Sequence, residues 1–172
     1  MQRIIIFCFS IFLCSGCKDI NPNQKTMGVA DSFMITLSIF VKKKDVIEIF
    51  YLDSKGDEIK FSEEKKIRKS IEGSNDVQTL SFKLPIEALT NTIRVDLGNN
   101  IEQNIVSFKN IKFKSQQGEL TLEGNEMEWF FTVNKYLKYK GNGQYQIIKI
   151  DGRVDPFIVS KAVLNKKLEI EL

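Results

Sequence analysis

The stretch Phe33-Met-Ile-Thr-Leu-Ser-Ile-Phe-Val41 decides the fold class of this chain. Its apolar residues fall on every second position: Phe33, Ile35, Leu37, Ile39 and Val41. The polar residues Thr36 and Ser38 occupy the other parity. Because successive side chains of a β-strand point to opposite faces, this alternation predicts a strand with one buried face and one wet face.

The same alternation recurs along the chain. It predicts half-buried strands at residues 80–84, 93–97, 120–122 and 168–172, and further strands at 46–52, 147–150 and 156–159. Gly-, Asn- and Asp-rich turns separate them, and Asp151-Gly152 is the best candidate for a tight hairpin. Many short strands with one wet face predict an all-β fold, a mostly antiparallel β-sandwich.

Residues 105–114 contain a change of parity. Val106 and Phe108 share one parity, whereas Ile111 and Phe113 have the other. A regular strand would turn its apolar residues to the wrong face there, so we expect a bulge or a sharp turn at Asn110.

At most one or two short helices are expected. Residues 62–69 begin with Ser62 as a possible N-cap, followed by acidic residues. Residues 127–137 space Trp129, Phe130, Val133 and Leu137 by three or four, which predicts a short helix in that segment.

Composition excludes several function classes. The chain has no histidine, which removes Ser-His-Asp and Cys-His catalysis and every His-ligated metal site. Its net charge of +3 gives no electrostatic reason to expect nucleic acid. No nucleophile motif or phosphate-binding glycine loop is present, and the acidic pairs are expected to be solvated. We therefore expect neither catalysis nor a cofactor.

Calcium is the metal that the remaining side chains suit best, because it takes oxygen ligands. Two groups could supply them: Asp53, Asp57 and Glu58 beside Gly56, and Asp96 with Asn99 and Asn100. Neither group has EF-hand spacing, so the prediction is that no metal is bound.

The N-terminus has the pattern of an export signal. Arg3 precedes an apolar run over residues 4–13, which is shorter than the roughly 20 residues of a membrane-spanning helix and is typical of a signal peptide. Leu13-Cys-Ser-Gly-Cys17 resembles the lipobox of bacterial lipoproteins, with Cys14 standing where Leu is usual. The resemblance implies that Cys17 carries palmitate and other acyl chains, which would anchor the protein to a lipid bilayer.

The expected organisation follows from this terminus. Residues 1–16 are a signal peptide, 17–30 are the lipidated cysteine with a polar tether, and 31–172 are the sandwich. All three cysteines, Cys8, Cys14 and Cys17, precede the predicted sandwich, which excludes a disulfide scaffold. Lys18-Asp19 after the lipid cysteine favours the outer membrane of the cell envelope, on either its periplasmic or its surface face.

Amphipathic aromatic residues are the candidate ligand-binding residues: Tyr51, Trp129, Tyr136, Tyr139 and Tyr145. An exposed ring packs against the C–H face of a sugar, while polar neighbours bond its hydroxyls. Three of these tyrosines surround Gly141-Asn-Gly143. The same rings could instead fill the core or form a protein interface.

Several short phrases resemble a known domain family. They are Ile49-Phe-Tyr51, Phe61-Ser-Glu-Glu64, Glu72-Gly-Ser74, Phe82-Lys-Leu-Pro85, Arg94-Val-Asp-Leu-Gly98 and Asp155-Pro-Phe157. Their order resembles galactose-binding-like β-sandwich (jelly-roll) domains, which accompany bacterial enzymes of surface polysaccharides. The resemblance implies a non-catalytic carbohydrate-binding sandwich, with Tyr51 and Arg94 inside matching phrases.

Two functions remain open from sequence. The first is a lipoprotein that binds carbohydrate or cell-envelope glycan. The alternative is a structural or assembly lipoprotein that docks onto an envelope protein through a strand edge or loop surface. An unpaired strand at 168–172 would favour docking.

Overall fold

The computed structural model of the chain describes residues 32–52, 61–88 and 92–172. The predicted signal peptide, Cys17, the tether and the first calcium candidate group, Asp53, Asp57 and Glu58, lie outside these residues. Within the described part, none of the helices has the length and apolar character needed to cross a bilayer.

The described residues form eleven strands and two short α-helices. The strands are β1 (Ser32–Val41), β2 (Asp45–Tyr51), β3 (Lys66–Ile71), β4 (Gln78–Pro85), β5 (Ile93–Asp96), β6 (Ile105–Lys114), β7 (Glu119–Glu123), β8 (Phe131–Val133), β9 (Leu137–Gly141), β10 (Gln144–Ile147) and β11 (Phe157–Ser160). The helices are α1 (Met127–Phe130) and α2 (Ala162–Glu171). Single 3₁₀ turns lie at Glu63–Lys65, Ile86–Ala88 and Gly124–Glu126.

These strands form two sheets in which every pairing between named strands is antiparallel, which confirms the predicted all-β sandwich. One sheet has the order β4-β1-β6-β10-β9, with β7 also paired to β6. The other has the order β3-β2-β5-β11-β8. Strands β9 and β8 therefore stand at the edges of their respective sheets.

The core lies between the two sheets. The odd-numbered apolar residues of β1 are at most 1% exposed, as their parity predicted. Phe33 stacks on Phe113 of β6 with ring centroids 6.1 Å apart. Opposite them, Ile47 and Ile49 of β2 are fully buried. Burial of these alternating side chains is the main favourable term that holds the sheets together.

The parity change in β6 is a β-bulge, as predicted. Ser38 pairs with Asn110, but its neighbour Ile39 pairs with Phe108, so Lys109 is the extra residue. Lys109 points to solvent, and both Phe108 and Ile111 remain in the core. The bulge thus keeps one strand continuous across the shift.

The short helix predicted within residues 127–137 is present, whereas residues 62–69 form no helix beyond a single 3₁₀ turn. Of residues 62–69, only Glu63–Lys65 make a 3₁₀ turn, because the rest pair with β2 as strand β3. Of residues 127–137, only Met127–Phe130 are helical. Phe131–Val133 then pair with β11 as strand β8, and this pairing satisfies backbone groups that a helix would have bonded internally.

The predicted strand at 168–172 is also wrong, since this segment lies in helix α2 and its C-cap, Leu172. Leu164 and Leu168 are fully buried and Leu172 is 3% exposed, a spacing of four that suits a helix. Ile170, which a strand would have buried with them, is 72% exposed. Lys167 pairs with Glu171 on the outer face.

A buried carboxylate organises the loop after β5. The carboxylate of Asp45 accepts hydrogen bonds from the backbone N–H groups of Val46 at 2.9 Å and of Asn99 and Asn100 at 3.0 Å. Gly98 lies against this carboxylate with φ of +87°. These bonds fasten the loop to the start of β2.

Candidate functional site

The edge strands β8 and β9 face each other across one side of the sandwich, and we call this line of contact the seam. The seam holds a cavity of about 310 Å³, which we call the seam cavity. Its walls are formed by Glu128, Phe131, Thr132, Val133, Tyr139, Tyr145 and Lys161. The site thus joins residues of both sheets and both α-helical regions.

Tyr145 forms the inner wall of the seam cavity. It is 1% exposed, and its ring meets Phe108 edge-on at 5.9 Å and Tyr139 at 5.1 Å between centroids. Among the described residues, its hydroxyl has no hydrogen-bond partner. Burial, followed by the nearby Tyr139 and Glu128, raises the pKa of Tyr145 above its ordinary value, so the hydroxyl stays protonated and can donate.

Tyr139 lines the seam cavity and also forms hydrogen bonds that hold the neighbouring turn. Its hydroxyl donates to the Gly124 carbonyl at 3.2 Å and accepts from the Gly143 N–H at 3.3 Å. Gly143 has φ of +74° and lies against the Phe108 carbonyl, where a Cβ atom would collide. The stretch Gly141-Asn-Gly143 among the candidate tyrosines is therefore a tight turn between β9 and β10, packed onto β6, that holds the Tyr139 ring in place.

The rim of the seam cavity is polar. The Lys161 ammonium donates to the Glu128 carbonyl oxygen at 2.7 Å, which links the start of α2 to α1. The Thr132 hydroxyl donates to the Val159 carbonyl at 3.2 Å. Val133 adds an apolar side chain that is 41% exposed. The cavity thus combines apolar walls with a hydroxyl, an ammonium and a carboxylate at its mouth.

The aromatic candidates do not form one cluster. Trp129 lies on α1 and is 65% exposed, next in sequence to Glu128 of the seam cavity. Tyr51 is half-buried near the end of β2, where it pairs with Ile93 of β5. The seam cavity brings together only Tyr139 and Tyr145 of the predicted ligand-binding residues.

Tyr136 lines a second cavity, which we call the distal cavity. It has a volume of about 440 Å³ and is formed by Lys135, Tyr136, Ile150, Asp151 and Arg153. The Lys135 ammonium lies 5.2 Å from the centroid of the Tyr136 ring. The predicted Asp151-Gly152 hairpin is present, with both residues at positive φ and Ile150 bridged to Arg153.

Arg94 lies in one of the phrases that resemble the galactose-binding-like family, and its side chain is bound to other residues of the fold. Its guanidinium donates two 2.6 Å hydrogen bonds to Asp96 and lies 3.8 Å from the Phe157 ring centroid. Burial raises the pKa of Asp96 above its ordinary value, although the Arg94 guanidinium opposes that shift. Arg94, Asp96 and Phe157 cover the outer face of the second sheet. The Arg94 guanidinium therefore has a structural role within the fold.

The second calcium candidate group is occupied in the same way. Asp96 pairs with Arg94, while Asn99 and Asn100 turn their backbone N–H groups toward Asp45. Over the described ranges, no group of three or more Cys, Asp and Glu side chains has an arrangement that could hold a metal ion.

Sequence reasoning missed most lining residues of both cavities. Thr132, Val133 and Lys135 fell in the segment assigned to a helix, and Lys161 and Arg153 were not singled out at all. The one signal available was Asp151-Gly152, whose turn correctly placed Ile150 beside Arg153.

Comparison of the chain with protein-family models, with curated proteins and with solved structures finds no match in any of the three. The lipobox and galactose-binding-like resemblances therefore stay predictions, and the functional argument rests on the geometry of the two cavities.

Proposed function

We propose that this chain is an exported lipoprotein, anchored through Cys17, whose sandwich binds carbohydrate of the cell envelope without catalysis. The ligand site is the seam cavity. The observation that carries the proposal is the Tyr145 hydroxyl, which is protonated, has no partner among the described residues, and belongs to an otherwise buried side chain that lines the cavity. A hydroxyl that lines a cavity without a protein partner is free to bond a ligand hydroxyl there.

The remaining walls suit a sugar. The Tyr139 ring and the Val133 side chain offer apolar surface to C–H groups. The Glu128 carboxylate can accept from ligand hydroxyls, and the Lys161 ammonium can donate to them. Apolar walls with a few convergent polar groups are the usual composition of a small-ligand site.

The position of the seam cavity also suits an anchored binding protein. Strand β1 runs from Ser32, where the tether would enter, to Val41, a length of about 30 Å. Val41 pairs with Val106, and Val106 pairs with Tyr145. Tyr145 is therefore level with the end of β1 far from the tether, so the cavity would be held away from the bilayer.

The Tyr145→Phe variant tests the ligand site by removing one oxygen atom. We expect binding to weaken about five- to tenfold for any oligosaccharide found on an array of neutral and acidic glycans, because one hydrogen bond to the ligand is lost. Stability should change by less than about 1 kcal/mol, since the hydroxyl has no protein partner to lose.

Tyr51→Phe is the matched control for that experiment, because it removes the same atom from a tyrosine on the other sheet. Its glycan affinity should equal that of the wild type. Equal affinities of all three proteins would move the ligand site away from the seam cavity, and an array without any bound glycan would remove the carbohydrate proposal.

The anchor is tested separately with a Cys17→Ala variant. Because the acyl chains are proposed to provide all of the membrane affinity, we expect the variant to leave the membrane fraction and the wild type to remain in it. Incorporation of labelled palmitate by the wild type alone would support the anchor. A variant that stays bound to membranes would contradict it.

Docking onto an envelope protein is the second candidate, and the exposure of Trp129 favours it. Tryptophan is enriched at the centres of protein interfaces, and Trp129 is 65% exposed. The strand predicted at residues 168–172, which would have favoured docking, is not formed because residues 162–171 are helical. Loss of partner crosslinking in intact cells on Trp129→Ala, without any glycan binding by the wild type, would favour docking.

A further inference from the structure

The distal cavity differs from the seam cavity in its charge. Two cationic side chains, Lys135 and Arg153, line it together with one carboxylate, Asp151. Among the described residues, neither cation forms an ion pair. Lys135 instead lies beside the Tyr136 ring, and the Arg153 side chain is exposed. The cavity thus places two positive groups without an ion pair among the described residues beside an aromatic ring, with one carboxylate, Asp151, in the same lining.

The backbone around the distal cavity is held by hydrogen bonds. The Asn134 side chain accepts from the Tyr136 N–H at 3.1 Å and donates to the Asp155 carbonyl at 2.5 Å. The Tyr136 carbonyl accepts from the Ile148 N–H at 2.8 Å. A backbone fixed on both sides of Tyr136 reduces the entropy that a ligand must remove on binding.

The other wall of the distal cavity is a tight turn. Ile150 and Arg153 exchange two backbone hydrogen bonds of 3.0 Å. Asp151 and Gly152 between them have φ of 50° and 73°, values that suit a two-residue hairpin turn. The turn fixes the backbone of Arg153. The Arg153 side chain therefore extends from a defined position at the wall of the distal cavity.

The two cavities are neighbours along the seam. Val133 lines the seam cavity and Lys135 lines the distal cavity, two residues later in the chain. Their Cα atoms are therefore at most about 7 Å apart. A single extended ligand could contact both cavities.

We propose that the distal cavity binds the carboxylate of a uronic-acid unit, so that the ligand of the seam is an acidic glycan chain. Arg153 and Lys135 would bind the carboxylate, and Tyr136 would pack on the sugar ring. The inference rests on the proposed function, since it specifies the class of glycan that the same seam recognises.

The test compares an oligogalacturonate with a neutral galactose oligomer of the same length by isothermal titration calorimetry. The chain is purified in detergent, and Arg153→Gln and Tyr136→Ala are measured beside the wild type. We expect Arg153→Gln to weaken binding of the acidic oligomer about tenfold or more and to leave the neutral oligomer nearly unchanged. Tyr136→Ala should weaken binding of the acidic oligomer as well, with a smaller loss for the neutral oligomer, because packing on the sugar ring does not need the carboxylate. Raising NaCl from about 0.05 M to about 0.5 M should weaken binding of the acidic oligomer alone.

Lys149→Gln is the matched charge control. Lys149 is exposed close to the distal cavity in sequence but does not line it. The variant should bind the acidic oligomer within about twofold of the wild type. A loss equal to that of Arg153→Gln would show that net charge, rather than the cavity, attracts the ligand, and would overturn the proposal.

Two further outcomes separate this proposal from the one on which it rests. Equal binding of neutral and acidic oligomers, insensitive to Arg153→Gln but weakened by Tyr145→Phe, would overturn the acidic subsite and keep the seam as a sugar site. Binding of phosphatidylglycerol vesicles that ignores Tyr136→Ala, with no binding of either oligomer, would overturn the acidic subsite, while the glycan array would still decide the carbohydrate proposal.

Discussion

Replacing Gly98 with Ala is expected to lower the free energy of unfolding by about 3 to 5 kcal/mol. Gly98 has φ of +87°, and a left-handed backbone costs an L-residue about 1 to 2 kcal/mol. The added Cβ would also collide with the Asp45 carboxylate. Asp45 would have to move and release the N–H group of either Asn99 or Asn100, and a hydrogen bond to a charged group contributes about 1.5 to 3 kcal/mol.

Gly152→Ala is the matched control, because Gly152 also has positive φ but no atom within 4 Å of its Cβ position. Urea unfolding followed by tryptophan fluorescence should show a loss of only about 1 to 2 kcal/mol for this variant. If both substitutions had the same effect, the strain would be purely local, and the Asp45 carboxylate would not be the group that holds the loop.

The second large effect is expected at the end of the sequence. Leu168→Ala should lower the free energy of unfolding by about 2 to 5 kcal/mol, since Leu168 is fully buried and its removal leaves a cavity under α2. Ile170→Ala should change it by less than about 0.5 kcal/mol, because Ile170 is 72% exposed.

This pair distinguishes the helix from the strand that alternation predicted. In a strand, Leu168 and Ile170 would share the buried face, so both substitutions would destabilise the protein by similar amounts. Thermal unfolding of the two variants, compared with the wild type, measures the difference directly. Equal losses would contradict helix α2.

Residues 168–172 show why alternation alone was ambiguous there. Leu168 and Leu172 lie four apart, a spacing that buries both in a helix and also in a strand. Only Ile170 distinguishes the two, and an apolar residue on a helix surface is common enough to mislead. Leu164, one helical turn earlier and fully buried, supports the helix.

The long strands were predictable because each carries its own apolar face. β1 buries one parity over its full length, β6 buries one parity on each side of its bulge, and that bulge was visible as a parity change at Asn110. The short strand β8 has no such pattern, since Thr132 and Val133 are both exposed. Its pairing with β11 forms it, and sequence does not show that partner.

The site was harder to predict than the fold for the same reason. Tyr139 and Tyr145 were identified by residue type, and they meet because β9 and β10 pair across a tight turn. Thr132 reaches the same cavity from the other sheet, and Lys161 reaches it from the residue that precedes α2. The edge strands β8 and β9 come together only because of the strand order in both sheets. No local sequence pattern shows that order.

Chemical-shift mapping by NMR is the most direct test of the seam as the ligand site. An oligosaccharide selected on the glycan array is titrated into the ¹⁵N-labelled protein, and the backbone amides of residues 32–172 are followed. We predict that the largest shifts occur at Thr132, Val133, Tyr139 and Tyr145, and that they extend to Tyr136 and Arg153 for an acidic oligomer. Shifts confined to the outer face of either sheet, with the seam amides unchanged, would contradict the account.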